Sequence, residues 1–216
     1  LEIVRLLVEA GADKDKAEND GETPLRVACE KGHLGIVGLL VERGADKDKA
    51  DIEGTTPLQV ACEKGHLGVV RILVKAFIKR GIGASFDKSR SGKKRKFSKD
   101  QAFKYVGRTP LYIACQNGYF DIVQLLVMAG ASKNTPDNNG WTPLHIACHH
   151  DHFDIVQLLV VAGAKKDKAN SDGETPLYRA SHNVHLEVVR LLIEAGADKD
   201  MAIHVGRTPL RVACEK

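Results

Sequence analysis

Apolar positions along this chain fall into two alternating patterns. The first is short: Leu25, Ala28 and Cys29 recur at i, i+3 and i+4 behind Thr23-Pro24, which is one apolar stripe of a helix. Thr23 suits the N-cap, where its hydroxyl accepts from first-turn amides. Pro24 suits the first helical position, where its missing N–H costs nothing. Gly32 is placed to end this helix in a left-handed cap. The second pattern is longer and broader: Leu34, Ile36, Val37, Leu39 and Leu40 are apolar, as expected of a helix packed on more than one side. Gly44 closes it, and Asp46-Lys47-Asp48-Lys49 leads out towards the next turn. The pattern predicts turn, short helix, turn, longer helix.

That unit repeats. Gly-x-Thr-Pro-Leu occurs six times, with its threonines at Thr23, Thr56, Thr109, Thr142, Thr175 and Thr208. The step is 33 residues, except that Thr56 and Thr109 are 53 apart. A fixed period of this size means stacked units whose core lies between neighbours. Turn and helix pair in this length, with these residues in register, resemble the ankyrin repeat family over most of the chain. The resemblance implies an all-α solenoid of stacked helix-turn-helix units with β-hairpin or turn fingers. It also implies function by binding other proteins, with the short first helices lining a concave face.

Under this reading the units span 18–50, 51–103 (with a basic insertion at about 77–102), 104–136, 137–169 and 170–202. Residues 1–17 supply a second helix alone, and residues 203–216 a turn and first helix alone. The expectation is therefore a piece of a longer array. Two departures stand out. The glycine after the first helix becomes Asp151 and then Val184. A β-branched residue resists a left-handed backbone, which predicts an altered turn at Asn183-Val184. The family's histidine after Thr-Pro-Leu is kept only as His145; its register elsewhere holds Arg26, Gln59, Tyr112, Tyr178 and Arg211.

Charge changes the picture at one place. Residues 75–105 carry 11 Lys/Arg against 2 Asp/Glu, leaving the rest of a +4 chain mildly acidic. Phe77 and Ile78 extend the second-helix spacing by a turn, and Gly81 is placed to cap it. The stretch Ser85 to Lys99 is rich in Ser, Lys and Arg and predicts a protease-sensitive loop. Its run Lys93-Lys94-Arg95-Lys96 has the composition of a nuclear-import signal or a nucleic-acid patch; a plain linker or a gene-model artefact are the other readings. No apolar run approaches the roughly 18 residues of a membrane span. The five cysteines, Cys29, Cys62, Cys115, Cys148 and Cys214, share one register. Stacked helices hold such sites about 8–10 Å apart, too far for a disulfide, so the expectation is reduced, buried thiols and a reducing compartment.

No catalytic signature is present: there is neither a phosphate-binding Gly-Lys-Ser/Thr loop nor a nucleophile elbow. The histidines at 149, 150, 152, 182 and 185 invite a zinc site, but helix spacing and the absence of a second shell argue against one. The expectation is no metal and no cofactor. Surface positions are more informative. Trp141 stands on a finger position that holds Glu22 and Glu174 in other units, so the stack does not need tryptophan as core. Trp141, Tyr112, His145 and Tyr178 are expected to form one exposed patch, with Arg108, His149 and His182 beside it. Interface anchors are enriched in Trp, Tyr and Arg. The sequence thus points to a monomeric, non-catalytic scaffold, cytoplasmic or nuclear, with a protein partner. A targeting module of a larger enzyme or channel, and nucleic-acid contact through the basic insertion, are the alternatives.

Overall fold

The computed structural model describes residues 1–79 and 107–216. The basic run Lys93–Lys96, Gly81 and the expected loop lie outside them. The chain divides into two compact units, Leu1–Val106 and Gly107–Lys216. Among the described residues every element is a helix.

The first unit holds α1 (Glu2–Glu9), α2 (Pro24–Glu30), α3 (Leu34–Glu42), α4 (Pro57–Glu63) and α5 (Leu67–Lys79). α2 packs on α3 and α4, and α5 on α3 and α4. The second unit holds α6 (Pro110–Gln116), α7 (Phe120–Met128), α8 (Pro143–His149), α9 (Phe153–Val161), α10 (Pro176–His182), α11 (Leu186–Glu194) and α12 (Pro209–Cys214). There the short helices α6, α8, α10 and α12 form one layer, and α7, α9 and α11 form the other.

Local chemistry sets the start of each short helix. The threonines at 23, 56, 109, 142, 175 and 208 all cap, each hydroxyl accepting from the backbone N–H three residues on. The fingers before Thr23, Thr56, Thr142, Thr175 and Thr208 are turns, each spanned by a backbone bond such as Asp137 N–H to Trp141 C=O at 2.8 Å. Adjacent fingers join through Ile52 N–H to Asp20 C=O at 2.9 Å and Ser171 N–H to Asn139 C=O at 3.0 Å. The exits are stapled as well: Asn134 Oδ1 accepts from Lys165 N–H at 2.8 Å, and Asp167 Oδ1 from Asp198 N–H at 2.8 Å.

The core between the two layers is aliphatic. Leu111, Ile113, Ile122, Leu126, Leu144, Ile155, Leu159 and Leu177 are all fully buried in the second unit, as are Leu25, Leu40, Leu58 and Leu73 in the first. Each such side chain contributes about 1.5–3 kcal/mol by leaving water. All five cysteines are free. Cys29, Cys62, Cys115 and Cys148 are buried, and burial pushes the Cys29 thiol up to about 12. Cys214 departs from the expectation and is exposed; α12 packs chiefly on α10.

α5 runs to Lys79, beyond the register at which α3 stops, and Phe77 is buried while Ile78 is exposed. The turn at Val184 also corrects the expectation. It is not altered: Val184 takes φ 63°, and Asp151 at the same register takes φ 59°. The chain is held there by bonds on both sides. His185 N–H donates to Ala180 C=O at 3.0 Å, and Asn183 Nδ2 donates to the His149 carbonyl at 2.9 Å.

Candidate partner-docking surface

Trp141 is carried on the finger between α7 and α8, and Asp137 shapes that finger. The Asp137 carboxylate accepts from Asn139 N–H and Trp141 N–H, each at 2.9 Å. The indole stays half-buried and lies among charged and aromatic neighbours. The Arg179 guanidinium stands 4.8 Å from its ring. The His149 ring meets it edge-on at 5.5 Å, and the His145 ring is tilted at 6.0 Å. Arg179 is in turn ion-paired to Glu174, which also accepts from Asn170 Nδ2 at 3.0 Å.

The remaining members of the expected patch are placed otherwise. Tyr112, His145 and Tyr178 are only 2%, 0% and 3% exposed. They do not form an outward patch with Trp141. Arg108, on the finger before α6, lies over the Tyr112 ring at 5.4 Å. Burial and the Asp137 carboxylate together push the Tyr112 phenol up. His145 Nδ1 accepts from Thr142 N–H at 3.2 Å and lies 2.8 Å from the Thr142 hydroxyl. Its other nitrogen must then carry the proton, and it donates to the Glu174 carbonyl at 3.0 Å. Burial holds this imidazole down to about 4, so it is a neutral strut. Gln59 performs the same box in the first unit, its side-chain oxygen accepting from Thr56 N–H at 2.9 Å.

Arg108, His149 and His182 are half-buried and within reach of solvent. Arg108 Nη1 donates to Gln116 Oε1 at 3.5 Å. Asn183 ties the two histidines together: its Nδ2 lies 3.0 Å from His149 Nδ1, and its Oδ1 lies 3.0 Å from His182 Nδ1. Among the described residues no group of three His, Cys, Asp or Glu is assembled for a metal ion.

The first unit presents a different surface. Arg26 is clasped by Glu22, by Glu30 at 3.3 Å and by Asp51 at 2.8 Å. Burial, and then the surrounding carboxylates, push Glu22 up against the pull of Arg26. One guanidinium among three carboxylates leaves this surface acidic.

Sequence reasoning missed one recurring device. His66, His152 and His185 each precede a second helix and bond the last carbonyl of the short helix in the preceding unit. Their Nε2 atoms lie 2.9, 3.2 and 3.1 Å from the carbonyls of Glu30, Gln116 and His149. The signal was present, since these histidines share one place in the repeat. The ring also explains a glycine: a Cβ on Gly118, at φ 74°, would stand 2.7 Å from the His152 ring.

The repeat model described as "Ankyrin repeats (3 copies)" matches residues 1–89, 85–170 and 152–216. No curated protein sequence matches the chain. Among solved structures, the ankyrin repeat domain of Bcl-3, a member of the IkappaB protein family, is similar. It is 28% identical with a TM-score of 0.78, over 98% of this chain and 86% of that one. The human ASB11 ankyrin repeat domain shares the fold at 24% identity and a TM-score of 0.75, over 97% of this chain and 85% of that one. Ankyrin repeat domains generally mediate protein–protein interaction, and no helix among the described residues is long and apolar enough to cross a membrane. With the repeat model matched from one end to the other, the chain belongs to the ankyrin repeat family.

Proposed function

We propose that this chain is a non-catalytic scaffold that binds a partner protein through the finger and concave surface of its second unit. The observation that carries the reading is Trp141. It is a large aromatic on a finger, half-buried before any partner arrives and held by Arg179 and His149. An anchor already fixed in place loses little side-chain entropy on docking. Arg108, His149 and His182 flank it as polar contacts. Tyr112, His145 and Tyr178 support the surface from beneath rather than touching the partner. The free, buried thiols agree with a reducing compartment, cytoplasm or nucleus.

Affinity capture with the whole chain as bait, beside a Trp141→Ala bait, tests this. A true partner is retained by the first and lost from the second. In titrations Trp141→Ala should weaken binding at least about tenfold, equal to 1.4 kcal/mol. Because the indole contacts Arg179 and two imidazoles, the substitution should also cost about 1 kcal/mol of stability. Unchanged affinity of the folded fraction would make Trp141 a purely structural residue.

A further inference from the structure

Five imidazoles crowd one rim of the second unit. His149 and His150 end α8, His152 precedes α9, His182 ends α10 and His185 precedes α11. The His149 and His150 rings meet edge to face at 4.8 Å, and His150 and His152 lie nearly parallel at 5.8 Å. Few other charges face them. From α10 and its finger come Arg179 and Glu174, which neutralise one another. From the finger before α6 comes Arg108, bonded to Gln116. On the rim itself the Asp151 carboxylate lies 3.7 Å from His185 Nδ1. With its imidazoles neutral the rim has almost no net charge, and each proton it gains makes it positive.

Hydrogen bonding fixes the resting state. Asn183 Nδ2 donates to the His149 carbonyl at 2.9 Å, which sets the orientation of the amide. The same Nδ2 then faces His149 Nδ1 at 3.0 Å, so that ring nitrogen accepts and bears no proton. Asn183 Oδ1 faces His182 Nδ1, which therefore donates. Burial, with His150, Arg179 and His185, holds His149 below its usual value; burial, with His152 and His185, does the same for His150.

We propose that this rim, with Trp141 as its apolar anchor, docks an acidic segment of a partner protein, and that docking is coupled to proton uptake by His149 and His150. The inference rests on the reading of this surface as the docking surface and names the partner's chemistry. A carboxylate brought to the rim supplies the opposite charge that the resting imidazoles lack. It turns their mutual repulsion into charge-assisted hydrogen bonds. The carbonyl ends of α8 and α10 point the same way, since helix C-termini favour cations. The cost at His149 is one bond: its protonated Nδ1 releases Asn183 Nδ2, which keeps the His149 carbonyl. A basic segment would find here only Asp151 and the already paired Glu174 as carboxylates.

The test uses the whole chain and a fluorescein-labelled heptaglutamate peptide, followed by anisotropy at pH 7.5 and 5.5, with circular dichroism confirming the fold at both. Each proton taken up tightens binding by up to about tenfold per pH unit. The wild type should therefore gain at least about tenfold over this range, and the His149→Gln/His150→Gln double variant less than about threefold. Proton NMR of the wild type gives a second readout should the variant fold poorly. Adding peptide at pH 6.5 should shift the His149 and His150 ring protons towards their protonated positions. No binding of heptaglutamate, a flat profile in the wild type, or a gain that survives the double substitution overturns the inference. So does a heptathymidylate oligonucleotide that binds more tightly with the same pH gain, because the surface would then serve nucleic acid. A natural partner lost on Trp141→Ala, together with a flat heptaglutamate profile, leaves the docking surface standing and removes this inference alone.

Discussion

His145 shows how one residue can stabilise a repeat and make it sensitive to acid. It is completely buried and neutral, with both ring nitrogens bonded. Its folded value of about 4 lies below the 6.5 of a free histidine, so between those limits the unfolded chain binds more protons. Stability therefore rises with pH across that window. The contribution is complete above about 6.5 and is lost as pH falls towards about 4, on the order of 3 kcal/mol in all. Gln59 shows that glutamine closes the same box. His145→Gln should thus lose about 1 kcal/mol at pH 7.5, from the missing bond to Glu174. It should also lose much less than the wild type when urea midpoints are compared at pH 7.5 and 5.0. An equal acid loss in the variant would assign the sensitivity to other histidines.

At the scale of the element, helix ends matter more than helix interiors. The short helices have seven residues or fewer, too few to persist alone. Their threonine caps, their fingers and the histidine staples supply the missing partners. Val184 marks the place where this closure overrides intrinsic preference. A left-handed β-branched residue costs about 1–2 kcal/mol, yet the bonds around it hold Val184 at φ 63°. Its side chain is 65% exposed and packs little. Val184→Gly should therefore raise stability by roughly 1 kcal/mol, less a few tenths for the entropy of a freer unfolded chain. Urea unfolding measures this directly. A lower midpoint would mean that the valine side chain contributes contacts worth more than the strain.

Across the whole molecule the two units differ in chemistry more than in form. Seven of the nine histidines lie in Gly107–Lys216, whereas the first unit gathers carboxylates around Arg26. Local opening energies in a repeat array need not be uniform. Acid should act first on α8 to α11. Native-state hydrogen exchange, corrected for intrinsic rates, should show these helices losing protection between pH 7.5 and 5.0 by more than α2 to α4 do. Equal loss in both units would count against histidine as the source.

The period of Thr-Pro-Leu and the two apolar stripes were enough to determine stacked helix pairs, the caps at every threonine and the single register of the cysteines. These are local or periodic properties, and a repeat writes them several times over. The exposure of side chains at the shared positions was decided by tertiary structure alone. Tyr112, His145 and Tyr178 occupy the register of Arg211, which is exposed, and only the packing of neighbouring fingers and helices buries them. Trp141 was legible as unusual, but its contact with Arg179 joins it to the next unit along the chain. The bridge of Asn183 between His149 and His182 likewise spans a whole repeat. Sequence pattern determines which face of an element turns inward; what lies across from it depends on where the next unit sits.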